Sequence, residues 1–331
     1  MKIIKKLMQI ALAVFFFSLL ATSTVLADDT DSEGWKFVQE NGRTYYKKGD
    51  LKETYWRVID GKYYYFDSLS GEMVVGWQYI PAPHEGVTIG SSLRQDIAFR
   101  PDWFYFGQDG VLQEFVGKQV LEAKTATNTN KHHGEQYDSP AEKRVYYFED
   151  QRSYHTLKTG WVYDEGHWYY LLKDGGFDSR INRLTVGELA RGWTNDNSTW
   201  YYLDPTTGIM QTGWQYLGNK WYYLRSSGAM ATGWYQEGST WYYLDQPNGD
   251  MKTGWQNLGN KWYYLRSSGA MATGWYQDGS TWYYLNAGNG DMKTGWFQVN
   301  GKWYYAYSSG ALAVNTTVDG YSVNYNGEWV Q

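Results

Sequence analysis

An all-β solenoid of stacked β-hairpins is the fold class this sequence predicts, and three observations predict it. Gly-Trp recurs as an opener at Trp193, Trp214, Trp234, Trp255, Trp275 and Trp296, with separations alternating between 21 and 20 residues. A Trp-Tyr-Tyr triplet begins seven residues after each opener, at Trp200, Trp221, Trp241, Trp262, Trp282 and Trp303. Residues 215–255 and 256–296 differ at only five of 41 positions, so two unit types alternate. A fixed short period of this kind marks an array whose units bury their cores only against neighbours.

Each unit reads as one hairpin. Trp221-Tyr222-Tyr223-Leu224 is aromatic and apolar with high strand preference. Before it, Leu217-Gly218-Asn219-Lys220 is a turn in which glycine and asparagine accept the unusual backbone angles. Arg225-Ser226-Ser227-Gly228 is the loop to the next hairpin. Alternation places Trp221 and Tyr223 on one face of the strand and Tyr222 on the other. An isolated hairpin is marginal in water, so stacking must supply the rest.

Residues 1–27 read as a cleaved signal peptide: Lys2, Lys5 and Lys6 precede an apolar run, and Val25-Leu26-Ala27 precedes Asp28-Asp29. Secretion without a membrane span is therefore expected. Cleavage would remove three lysines and no acids, moving the net charge from −5 to −8. That balance argues against nucleic acid as a partner and suits a cationic one. The chain has no cysteine, so stability must come from ring burial between units.

Residues 28–191 carry a degraded version of the pattern. Trp35 is followed by Thr44-Tyr45-Tyr46, and Trp56 by Tyr63-Tyr64-Tyr65. An insertion from Ile80 to Pro101 separates Trp77 from Trp103-Phe104-Tyr105. A second, near Val116 to Arg144, precedes Val145-Tyr146-Tyr147-Phe148. Trp161 and Trp168 restore the spacing before the segment from Asp174 to Ala190 replaces the usual loop. Inserted loops on a repeat array commonly carry partner recognition. Residues 28–191 are thus expected to form an effector region, and residues 192–331 a regular anchor with a terminal hairpin.

The Thr-Gly-Trp openers, Trp-Tyr-Tyr-Leu, and Gly-Ala-Met or Gly-Asp-Met at Met230, Met251, Met271 and Met292 resemble the choline-binding repeat of Gram-positive surface proteins. The resemblance is strong from Gly192 to Tyr305 and degraded from Gly34 to Trp168. It implies a left-handed superhelix of hairpins, with choline held between consecutive hairpins by aromatic side chains. A quaternary ammonium donates no hydrogen bond, so π faces must hold it. The resemblance assigns each site an opening Trp, the Trp of the same triplet and the second Tyr of the next unit. Those sets are Trp193, Trp200 and Tyr223; Trp214, Trp221 and Tyr243; Trp234, Trp241 and Tyr264; Trp255, Trp262 and Tyr284; Trp275, Trp282 and Tyr305. The first tyrosines, Tyr222, Tyr242, Tyr263 and Tyr283, are assigned to the core. Met230, Met251, Met271 and Met292 are expected as extra lining, and one front-half site is placed at Trp161, Trp168 and Tyr202.

The resemblance implies a non-catalytic surface protein attached to phosphocholine on teichoic and lipoteichoic acids. The front half would meet a host extracellular protein or modulate wall hydrolases. No phosphate loop, zinc spacing or nucleophile motif is present, and no cofactor is expected. Lys131-His132-His133 reads as a solvated loop instead of a metal site. Glucan-binding repeats are the rival reading, because sugars also stack on rings. The complete tryptophan pairs and recurring methionines favour choline.

Overall fold

The computed structural model describes residues 30–82, 101–124, 143–151, 154–173, 177–178 and 183–330. Among these, every element is an antiparallel strand or a turn, and no helix is present. Residues 1–27, read above as a signal peptide, most of both insertions and Lys131-His132-His133 lie outside the described residues. The chain divides into two compact units, residues 1–162 with 170–189 and residues 163–169 with 190–331.

In the second unit the hairpins follow one register. Strand Gly213–Leu217 pairs with Lys220–Leu224, setting Trp214 opposite Tyr223 and Tyr216 opposite Trp221. The two-residue loop between them has φ of 55° at Gly218 and 63° at Asn219, the left-handed pair that a tight hairpin turn requires. The same register holds for Gly233–Glu237 with Thr240–Leu244, and for Gly254–Leu258 with Lys261–Leu265. It continues in Gly274–Asp278 with Thr281–Leu285, and in Gly295–Val299 with Lys302–Ala306.

Stacking is a backbone matter first. The N–H of Met230 donates to the carbonyl of Trp200 at 2.8 Å, and Met251 to Trp221, Met271 to Trp241 and Met292 to Trp262 repeat that bond. The loop after each hairpin thereby ties to the hairpin before it. The leucine closing each triplet, Leu203, Leu224, Leu244, Leu265 and Leu285, is fully buried. Each such leucine contributes about 1.5–3 kcal/mol.

The methionines form a second spine. A Cβ added at Gly228, Gly249, Gly269 or Gly290 would collide with the thioether of Met210, Met230, Met251 or Met271 respectively. Each methionine tail therefore lies against the glycine of the following loop. A flexible thioether fills the space a missing side chain leaves.

The first unit keeps the register through its irregularities. Strands Gly76–Pro81 and Pro101–Phe106 pair with Trp77 opposite Tyr105 and Tyr79 opposite Trp103, as if the intervening insertion were a long turn. The second insertion is not simply a loop. Its residues Gly117–Glu122 form a strand pairing with Lys143–Gln151, with Lys118 opposite Tyr147 where a tryptophan opener would stand. Backbone pairing holds this hairpin together without the opener ring. Aromatic side chains dominate this core: Phe66, Trp77, Phe104, Phe106 and Tyr146 are fully buried.

Gly249 tests the methionine spine, because its φ of 75° and its contact with Met230 both exclude a side chain. Gly249→Ala should cost about 2–5 kcal/mol, combining left-handed backbone strain with overpacking. Adding Met230→Ala should lower the coupled cost below the sum of the two single changes. Urea denaturation followed by circular dichroism measures both, and strict additivity would dissolve the proposed contact.

Candidate functional site

The register determines which rings meet. Trp214 and Tyr223, directly opposite across the hairpin, stand edge to face with centroids 5.3 Å apart. Trp221 lies on the same strand face, 6.4 Å from Trp214 at an interplanar angle of 83°. The following hairpin brings Tyr242 to 4.9 Å from Trp214. Tyr235 of that hairpin stands 6.0 Å away, so one opener is walled by two rings of its own hairpin and two of the next.

The opener's contacts with the second tyrosine of its own hairpin and the first of the next repeat along the second unit. Trp193 meets Tyr202 and Tyr222; Trp234 meets Trp241, Tyr243 and Tyr263. Trp255 meets Trp262, Tyr264 and Tyr283, and Trp275 meets Trp282, Tyr284 and Tyr304. The opener-to-next-hairpin distance stays between 4.8 and 4.9 Å throughout.

The rings are grouped differently from the sequence assignment. Tyr223, Tyr243, Tyr264, Tyr284 and Tyr305 face the openers of their own hairpins, Trp214, Trp234, Trp255, Trp275 and Trp296. The rings reaching back to the preceding hairpin are the first tyrosines, which the sequence reading had placed in the core. The reason is the two-residue turn, which sets the opener opposite the second tyrosine. The first tyrosine is then left on the face turned to the neighbour.

The triplet tryptophans are the open side of each cluster. Trp200, Trp221, Trp262, Trp282 and Trp303 are exposed, and Trp241 is 37% exposed, whereas the openers are half-buried. A half-open box of π faces suits a cation that must be desolvated but not sealed in.

Every second opener also carries a carboxylate. The indole N–H groups of Trp214, Trp255 and Trp296 donate to Glu237, Asp278 and Asp319 at 3.1, 2.9 and 3.1 Å. These acids come from the turn of the next hairpin and recur every 41 residues. In the same interfaces Tyr235 stacks on Tyr223, and Tyr276 on Tyr264, at 3.9 Å. Burial, with the hydrogen bond between the hydroxyls second, holds Tyr235 and Tyr276 above the ordinary phenol range. Sequence reasoning missed the acids because they sit outside the aromatic lattice; their 41-residue recurrence was the available signal.

The series ends in a cavity of about 310 Å³ lined by Trp296, Trp303, Tyr321 and Trp329. Tyr321 stands 5.7 Å from Trp296 and 6.0 Å from Trp329. The terminal three-stranded sheet, Thr316–Val318, Tyr321–Val323 and Trp329–Val330, so supplies the rings that a further repeat would.

In the first unit one cluster has the same geometry. Trp77 stands 6.3 Å from Trp103, 5.2 Å from Tyr105 and 4.7 Å from Tyr146. The insertion hid it by separating Trp77 from its triplet. Trp161 meets Tyr170 at 4.9 Å, Trp168 meets Tyr163 at 5.1 Å, and Tyr202 faces Trp193. Among the described residues no group of three or more histidine and acidic side chains could hold a metal.

The choline-binding repeat family matches residues 211–253 and 252–297, and the putative cell wall binding repeat matches 159–177, 192–210 and 294–312. No curated protein sequence matches the chain. Among solved structures, CbpJ from Streptococcus pneumoniae TIGR4 is 74% identical with a TM-score of 0.81, the match covering 90% of this chain and all of that one. Choline binding protein F from Streptococcus pneumoniae is 62% identical with a TM-score of 0.79, covering 91% of this chain and all of its own. The structure of choline binding protein F in complex with ipratropium is 60% identical, with a TM-score of 0.76 and the same coverage. With such identity across the whole of its relatives and the repeats matched along its second half, this chain belongs to the family of choline-binding repeat proteins.

Proposed function

We propose that the chain is a secreted, non-catalytic protein that holds itself on the cell wall by binding phosphocholine of teichoic and lipoteichoic acids. One observation carries this reading: an opener packed between the second tyrosine of its own hairpin and the first tyrosine of the next recurs at Trp193, Trp214, Trp234 and Trp255, and Tyr304 takes the same place at Trp275. The cavity at Trp296, Trp303, Tyr321 and Trp329 serves as a sixth site. A quaternary ammonium enters each box against Trp, Trp and two tyrosines, with the acid at alternate sites adding attraction. The match to CbpJ and choline binding protein F supports the ligand class. Residues 28–191 act as the effector half, meeting a host extracellular protein or a wall hydrolase.

Free choline should elute the protein from a tertiary-amine resin while dextran leaves it bound. Elution by dextran would favour the glucan-binding reading instead.

Single rings should separate ligand loss from structural loss. Trp241→Ala removes an exposed wall, so it should abolish one choline site at a stability cost of about 1–2 kcal/mol. Tyr242→Leu should abolish a different site, that of Trp214. Titration calorimetry gives the stoichiometry, and the double variant should lose two sites. A loss of only one would mean that the two rings share a site.

Retention on walls should be multivalent. One cage contributes about 4 kcal/mol, a millimolar affinity. Linked sites on a polymer multiply retention by roughly 10²- to 10⁴-fold. Removing Trp221, Trp241, Trp262 and Trp282 in succession should therefore release the protein from walls far faster than it lowers choline stoichiometry. A proportional decline in both assays would contradict multivalent anchoring.

A further inference from the structure

One box in the first unit already contains a cation. Lys124 leaves the end of strand Gly117–Glu122 and is completely buried. Its ammonium lies 4.0 Å from the ring centre of Tyr146, 4.6 Å from that of Trp77 and 5.6 Å from that of Trp103. Those three rings occupy the positions of opener, triplet tryptophan and first tyrosine of the next hairpin. Their spacings of 6.3 and 4.7 Å match the 6.4 and 4.9 Å of Trp221 and Tyr242 around Trp214. Among the described residues no hydrogen-bond acceptor meets Lys124 Nζ, and π faces are its immediate partners.

We propose that Lys124 is a built-in ligand: its ammonium fills the Trp77, Trp103 and Tyr146 box and keeps that box closed to quaternary ammonium ions. The proposal rests on the reading that the equivalent open boxes bind choline.

Several features fit a permanently filled site and not an open one. Trp77 is fully buried, whereas the openers of the second unit are half-buried. Its indole N–H donates to the carbonyl of Glu122 at 2.8 Å, two residues before the lysine, so the box holds the strand that delivers its own cation. The hydroxyl of Tyr105 donates to the Glu122 carboxylate at 2.6 Å and fixes the same strand end. Arg57 is held differently: its guanidinium lies 5.6 Å from the Trp35 ring and 5.9 Å from that of Tyr46, but it pairs with the carboxylates of Glu53 at 3.0 Å and Glu33 at 3.5 Å.

Burial pushes the Lys124 ammonium down to about 7, and the Glu188 carboxylate opposes that shift. The three π faces also favour the charged form, since the ring quadrupole attracts only a cation. An internal cation of this kind makes the packing of these two hairpins independent of external choline. The open boxes of the second unit depend on ligand for the same contact.

The test uses the full chain. In native protein labelled with ¹³C at the lysine ε carbons, the Lys124 methylene protons should be displaced upfield by the three rings. That resonance is identified by its loss in Lys124→Arg or Lys124→Ala. It should stay displaced when choline saturates the other sites. Lys124→Ala should bind one more choline, or one tetramethylammonium, than the wild type by calorimetry. Lys124→Met keeps the box filled and should bind no more than the wild type. An undisplaced lysine spectrum would overturn the proposal. So would release of the displaced resonance by choline, or a folded Lys124→Ala with no added site. If Lys124→Ala fails to fold, the two native-protein measurements decide by themselves. Failure of the wild type to bind any choline would instead refute the reading of the open boxes, while leaving the lysine spectrum to report on Lys124.

Discussion

The edge-to-face contact between each opening tryptophan and tyrosines of two hairpins is the interaction on which the rest depends. It is at once the packing between neighbours and the wall of the site. At Trp214 one ring meets Tyr223 within the hairpin and Tyr242 across the junction. Edge-to-face pairs add about 0.5–1.5 kcal/mol beyond area burial. An array of short hairpins, none stable alone, accumulates that increment at every junction. It also leaves the exposed π faces that a cation needs.

The two units use the same rings toward different ends. In the second unit the largest fully buried side chains are leucines, and the rings are left partly open around them. In the first, Trp77, Phe104, Phe106 and Tyr146 are themselves the buried core. The opener indoles register the difference. Trp56 and Trp77 donate to the main-chain carbonyls of Pro81 and Glu122, whereas Trp214, Trp255 and Trp296 donate to carboxylates. A carbonyl partner fixes an indole within a packed interior; a carboxylate partner leaves a negative charge beside an open box.

Between hairpins, the loops have their own logic. A methionine tail lies against a glycine of the next loop, and the methionine N–H bonds back to a tryptophan carbonyl. Alternate junctions add ion pairs, Lys220 with Asp250 at 3.3 Å and Lys261 with Asp291 at 3.1 Å. Both lysines are exposed, so these pairs contribute little to stability. The hydrogen bonds and thioether contacts define the spacing that keeps every box the same size.

The period of openers and triplets determined the fold class and the ring types of the sites by itself, because a 20- or 21-residue repeat with a two-residue turn permits one hairpin per unit. Which tyrosine faces which tryptophan was decided by register, a property of paired strands that spacing along one strand does not reveal. Across the junction Trp193 meets Tyr222 where the sequence assigned Tyr223, and Trp214 meets Tyr242 where it assigned Tyr243. The Trp77 box was hidden because its two strands are separated by an insertion, yet pairing of Pro81 with Pro101 closes the hairpin as a short turn would. The strand Gly117–Glu122 lacks an opener ring and is recognisable only through its partner, Lys143–Gln151. Lys124 carries no motif at all. Its place against three rings follows from the end of that strand, and only the folded chain brings an ammonium from one segment into a box built by three others.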